Sequence, residues 1–264
     1  MNTAPDFAAL MHAHRSIRQY KDQPIEAGLI DIVLAQALSG SSSSGNLNLV
    51  SVIKTQDTER KARLCEMHFG QPMVLQAPLV LTFCADSFRT RQWLAQRGAR
   101  LNFGNLISWH VAAFDAIILA QTTALALQSH GLGICFMGTT LHSMGAIAEF
   151  LECPDHCLPV TSMVVGWPDE APAQRDRLPP AAWIHEERYQ RPTAQDIDER
   201  FGAREVKGWN RYRSMGEQMV KKMDQMGITS LAQYYTSDIK YAPHIFERDS
   251  KQLRELMESK GFMP

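Results

Sequence analysis

Four polar side chains crowd one short stretch near the start of the chain: His14, Arg15, Ser16 and Arg18, within HRSIRQY. A guanidinium presents a planar fork of donors that matches paired oxygens on a phosphate or the oxygen edge of an anionic ring. A serine hydroxyl adds one donor more. A second arginine pair, Arg175 and Arg177, sits in the proline-bound loop DEAPAQRDRLPP. The polar run SSSSGNLN carries Ser44, Asn46 and Asn48, and the segment FMG adds backbone donors around Met137 and Gly138. Together these groups suit a phosphate-bearing ligand held in a cleft. Taken singly, the first cluster fits a capped helix end with two surface arginines equally well, and residue types alone leave both readings open.

Other chemistries lack their motifs. No G-x-G-x-x-G follows a strand, and there is no P-loop lysine, no H-E-x-x-H and no G-x-S-x-G. The serines Ser41 to Ser44 have no base near them in sequence. The five cysteines are an odd number in a chain of 264 residues, which argues against a disulfide framework. Cys153 and Cys157 lie four apart across a proline, and no second close pair completes a metal set. The cysteines therefore read as reduced thiols and no metal is assigned. Lys plus Arg is 27 against 28 for Asp plus Glu, so no basic surface marks a nucleic-acid partner. The opening MNTAPDFAALMHAHRS lacks the apolar core of a secretory signal, and no stretch approaches 18 uninterrupted apolar residues. The expectation is a cytoplasmic protein with no membrane partner.

These groups must be held by a core, and 45% hydrophobic residues supply one. Periodicity predicts helices over Phe7 to His14, from Pro24 to Leu38, Glu59 to Phe69, Trp109 to His130 and Met144 to Leu151. The segment from Trp109 is apolar nearly all round, as a central helix is. Strands are expected in LNLVSVIKTQ, PLVLTFCAD and LPVTSMVVGWP. Beyond about Arg191 the chain turns charged and helical, with Asp196 to Met226 broken at Gly202 and Gly208 and a last helix from Ser250 to Lys260. Helices and strands do not alternate strictly, so an α+β domain around one sheet fits better than a doubly wound sheet. Residues 1–190 read as the core, and 191–264 as a helical extension that wraps this core or a partner's.

The ordered set of segments is more specific than any one of them. HRSIRQY, SSSSGNLN, GQPMVLQAPLVLTFCAD, DAIILAQTTALALQSHGLGICFMG and VVGWPDEAPAQRDRLP occur in the order seen in the nitroreductase family of flavoproteins. YY-x-SDIKY and the terminal KGF resemble its long-tailed, NADPH-preferring, oxygen-insensitive branch. The resemblance covers about residues 10–262. It implies the nitroreductase fold: a mostly antiparallel central sheet flanked by helices in an intertwined homodimer, with FMN at the interface. It also implies ping-pong electron transfer from NADPH or NADH, through flavin N5, to nitroaromatics, quinones or free flavin.

Carried over by residue, His14, Arg15 and Ser16 would hold the phosphate and ribityl end. Arg18 would face the N1 and O2 edge of the ring. Ser44, Asn46 and Asn48 would come from the serine loop and Gln71 from the GQ segment. The backbone of Met137 and Gly138 would lie near N5, with Arg175 and Arg177 at the phosphate. No protein side chain would be a catalytic nucleophile. Three departures from the family pattern stand out: Asn48 stands where glutamine is common, Thr139 and Thr140 follow Gly138 where many long-tailed members have a glycine and then an arginine shortly beyond, and Arg175 stands where lysine is common. Lys207, Arg211 and Arg213 are candidate cations for an NADPH 2'-phosphate. A reductase of one narrow metabolite, or an FMN-binding dimer with little turnover, would use the same fold.

Overall fold

The structure is a computed structural model, and it describes residues 7–263. The first six residues of the opening segment lie outside the described ones. Two compact units are present. One holds the described residues through Gln174 and from Gln252 onward; the other is Arg175–Lys251.

The first unit runs α1 (Phe7–Ala13), α2 (Leu29–Ser39), β1 (Val50–Thr55), α3 (Thr58–Met67), α4 (Met73–Gln76), β2 (Leu79–Asp86), α5 (Phe88–Gln96), α6 (Leu106–Ser129), β3 (Gly133–Met137), α7 (Met144–Phe150) and β4 (Cys157–Gly166). The strands form one sheet in the order β1-β2-β4-β3, and every neighbouring pair is antiparallel. This is the α+β architecture expected from the sequence. Both central strands, β2 and β4, are buried at every position. A strand covered on both faces has no polar alternation, which is why PLVLTFCAD reads as a continuous apolar run.

Alternate residues of β2 serve two cores. Val80 and Cys84 join Leu64, Ile147 and Phe262 on one face. Leu79, Leu81 and Phe83 join Val33 of α2 and Ala116, Leu119 and Leu127 of α6 on the other. The 24-residue α6 is long and apolar enough to cross a membrane by length and composition, but half of its most apolar window is buried inside the protein. Its other side leaves Ile107 73%, Phe114 62% and Ile117 46% exposed. The apolar circumference that reads as central therefore belongs to a helix with only one face in the core.

Several boundaries differ from the expected ones. Pro24 does not open α2; Gly28, in the left-handed region at φ 82, precedes its first turn. Two short helices, α4 and α5, and the strand β3 have no counterpart in the periodicity reading, because GICFM merges with the glycines around it. In the second unit, α8 (Ala194–Arg213) runs unbroken through Gly202 and Gly208. The interruption falls at Ser214–Gly216, before α9 (Glu217–Gln225), and α10 (Leu231–Tyr235) follows. α11 (Pro243–Ser259) starts earlier than the expected Ser250. The buried core of this unit is small: Met223, Ile228, Leu231 and Tyr234.

Candidate functional site

The HRSIRQY segment leaves α1 and crosses one end of the sheet. Ile17 N donates to Ile134 O of β3 at 2.9 Å, Lys21 N donates to Trp167 O at 2.9 Å, and Tyr20 bridges Pro168. Two glycines make room for it. Gly133 and Gly166 are register partners in β3 and β4. A Cβ on Gly133 would meet Ile17 at 2.8 Å, and one on Gly166 would meet Tyr20 at 2.8 Å and Pro78 at 2.6 Å. Ile17 and Tyr20 are buried, and this alternation leaves Arg18 exposed beside them.

Among the described residues, the arginines of this segment form no ion pair with a carboxylate. Arg15 donates to Ala13 O and Pro172 O, each at 3.2 Å, and Arg18 Nη1 reaches Ser16 O at 3.4 Å. A carboxylate does bind the backbone here: Glu170 accepts from the amides of Arg18 and Gln19. The ring of His14 hydrogen-bonds the Gln128 amide of α6.

The serine run is fastened by a residue that sequence reasoning missed. Asp115, buried in the middle of α6, accepts from Ser43 Oγ at 2.6 Å, Ser44 N at 3.1 Å and Leu49 N at 3.0 Å. Asn46 and Asn48 both take positive φ, 55 and 51, a region asparagine tolerates better than most residues. Asn48 Nδ2 donates to Asn46 O at 3.0 Å. From β2's far end, Arg89 of α5 donates to Asn48 O at 2.7 Å and Val50 O at 3.0 Å. A run that reads as free loop is thus pinned at both ends.

The GQ segment and the turn after β3 meet through Thr139. Gln71 Nε2 donates to Thr139 Oγ1 at 3.4 Å, and His68 Nδ1 lies 2.8 Å from the same oxygen. Thr140 Oγ1 donates to Met137 O at 2.8 Å and accepts from Ser162 N at 3.0 Å. Both threonines that depart from the family pattern therefore hold the Met137–Gly138 turn in place. Burial lowers the His68 imidazole to about 4. Gly138 is exposed and faces open space: a Cβ there meets nothing within 4 Å. A cavity of about 440 Å³ is lined by Arg18, Gln19, Tyr20, Gln71, Met73 and Asp169.

Arg175 and Arg177 fall in the second unit. Arg177 donates to the carbonyls of Arg175 and Asp176 at 3.2 Å. Of the three candidate tail cations, Arg211 pairs with Asp176 at 3.6 Å and Arg213 with Asp224 at 3.1 Å, while Lys207 is exposed.

Residues 11–167 match the model of the nitroreductase family. The chain belongs to the nitroreductase family. Its similarity extends over nearly full length to an FMN reductase [NAD(P)H] of Bacillus subtilis, 31% identical over 94% of each chain. Among solved structures, a Bacteroides fragilis protein aligns with a TM-score of 0.86 at 34% identity, covering 97% of this chain and 100% of the other. The NADPH:FMN oxidoreductase of Vibrio harveyi, solved with NAD+, aligns with a TM-score of 0.74 at 26% identity over 97% and 98%. The sheet and its flanking helices are the nitroreductase fold that HRSIRQY and the later motifs implied.

Proposed function

We propose that this nitroreductase-family chain is an FMN-dependent oxidoreductase that takes electrons from NADPH or NADH and passes them to a nitroaromatic, a quinone or free flavin. The observation that carries the reading is the seating of HRSIRQY over the Gly133–Gly166 pair, which puts Arg18 on a cavity wall with Gln71. The residues fit the cofactor. Among the described residues, the guanidiniums of Arg15 and Arg18 donate to backbone carbonyls, and Gly138 faces open space. When bound, FMN supplies a ring nitrogen, N5, that takes up and releases an electron pair, so donor and acceptor use one cavity in turn.

The chain's part is binding and electrostatics. His14, Arg15 and Ser16 hold the phosphate and ribityl end. Ser44, Asn46, Asn48 and Gln71 supply polar contacts, and the Met137–Gly138 backbone borders the ring. The resemblance assigns Arg175 and Arg177 to the phosphate as well. Removing one charge-assisted donor from a phosphate costs on the order of 2 kcal/mol, so Arg15→Ala should weaken FMN about 30-fold. Fluorescence titration reads this directly, and unchanged affinity would return Arg15 to the role of a surface charge.

Arg18 has a different task. A cation near the ring favours the reduced, more negative cofactor. Arg18→Gln should lower the two-electron midpoint potential by roughly 20 to 45 mV, the equivalent of about 1 to 2 kcal/mol. Spectroelectrochemistry of the loaded variant checks this; a potential matching the parent removes Arg18 from the ring edge. The activity itself is tested by anaerobic titration with NADH and NADPH in parallel. Bleaching of a yellow protein by either donor is expected, followed by recolouring with a nitroaromatic, a quinone or FMN. A protein that binds FMN and is bleached by neither donor would refute the oxidoreductase reading.

The same reading includes a cytoplasmic homodimer with FMN at its interface. The exposed apolar stripe Ile107, Phe114 and Ile117 on α6, with Ile32 and Leu38 on α2, supports it. The helical extension over 191–264 would wrap its own core or the partner's, and its small buried core agrees with that role. Sedimentation equilibrium should give twice 29.7 kDa. A folded, FMN-loaded monomer at micromolar concentration would overturn the dimer.

A further inference from the structure

Three of the five cysteines meet in the core facing α3 and α7. Cys84 comes from β2, Cys157 opens β4, and Cys153 lies in the turn between α7 and β4. Their sulfurs all lie within 4.8 Å of one another, and all three residues are buried. The sequence shows only the Cys153 and Cys157 pair; the β2–β4 ladder, which sets Asp86 against Cys157 and Cys84 against Pro159, brings the third. The residues just before the two turn cysteines, Glu152 at φ 56 and His156 at φ 61, both take the left-handed conformation. Side chains pay for that region, and such strain gathers where a geometry is being imposed.

We propose that Cys84, Cys153 and Cys157 bind one soft monovalent metal ion, Cu(I), through three thiolates. A metal–thiolate bond of about 2.3 Å places three sulfurs around a trigonal ion about 4 Å apart, so the observed cluster needs only a small contraction. The three thiols face one another inside the core, with their nearest charged neighbours at the rim. Binding replaces the three thiol protons, which leave to solvent, with one cation. Lys260, whose Nζ donates to Cys153 O at 2.9 Å, is the nearby cation, and Asp86 is the anion on the Cys157 side.

The donor set selects the metal. Thiolates favour Cu(I) and Zn(II), but structural zinc takes four ligands. Among the described residues no fourth His, Cys, Asp or Glu atom joins this group. Buried cysteines often act only as small apolar side chains, and that is the alternative to be tested. The inference makes no use of FMN, so its failure and that of the proposed function are separable.

The test uses the full-length protein as purified, with its thiols reduced and under anaerobic conditions, titrated with Cu(I) against a bathocuproine disulfonate competitor. One Cu(I) per chain is expected, with a three-sulfur shell in X-ray absorption. Cys84→Ser, Cys153→Ser and Cys157→Ser should each weaken binding beyond the roughly 10- to 100-fold that an outer-shell change costs, while Cys65→Ser should leave it intact. Cu(I) retained equally by the triple variant, no ion held against the competitor, or preference for Zn(II) with a fourth non-sulfur ligand would overturn the site. Should the serine variants not fold, the shell in the parent protein decides alone: fewer than three sulfurs refutes the proposal.

Discussion

Replacing Asp115 by alanine should both destabilise the first unit and release its serine loop. The carboxylate is the common acceptor for Ser43 Oγ, Ser44 N and Leu49 N, from inside a helix whose other buried residues are apolar apart from Ser108 and Thr123. Hydrogen bonds to a charged group contribute about 1.5 to 3 kcal/mol each, and their losses do not add. Two backbone amides and a hydroxyl would lose their partner at once. The expected net loss is about 3 kcal/mol, with a melting temperature lower by about 6 to 12 °C. Asp115→Asn keeps an acceptor oxygen and should recover part of it. Calorimetry of the three proteins checks the stability, and FMN titration of the folded fraction checks the loop. Parent-like melting of Asp115→Ala would mean that the loop holds its shape without the anchor.

His68 should make stability depend on pH in a defined window. Its imidazole is buried at the end of α3 against Thr139, and burial lowers it from 6.5 to about 4. Between those values the unfolded chain binds the proton and the folded one does not, so stability rises with pH there. The contribution is fully present above about 6.5, falls as the pH drops, and is gone below about 4, a span of about 3 kcal/mol. Moving from pH 7.5 to 5 should remove about 2 kcal/mol of it. His68→Gln lacks this proton site. Urea unfolding of both proteins at the two pH values isolates the difference, and parallel pH dependences would exclude His68 as its source.

Much of this was readable beforehand, and the reasons for success and failure are physical. PLVLTFCAD announced a buried strand because both faces of β2 are covered. HRSIRQY offers two guanidiniums close together, which suit an anion or solvent alike, so residue types alone leave a ligand site and a surface helix end both open. Asp115 gave no such signal: one acid in an apolar helix says nothing of three donors arriving from a loop more than 60 residues upstream in the chain. Thr139 and Thr140 looked like losses from a family pattern, and only the fold shows them bonded to His68, Gln71 and Ser162. β3 was hidden because five residues between glycines carry too little pattern for a period to emerge. The third cysteine of the buried cluster was invisible because strand pairing, not spacing, supplies it.

The opposed glycines of β3 and β4 have a consequence for how variation in this protein is interpreted. Any side chain at Gly133 or Gly166 pushes on Ile17, Tyr20 or Pro78, and through them on the strand of chain that carries Arg15 and Arg18. In a mutational screen scored by colour or turnover, both positions should behave as hits of the same class as the arginines, although neither glycine has a functional group to offer. A map of tolerated substitutions would then outline the shelf beneath HRSIRQY as sharply as the contacts of the ligand proposed above. Inherited changes at these two positions deserve to be sorted with the site rather than with the core.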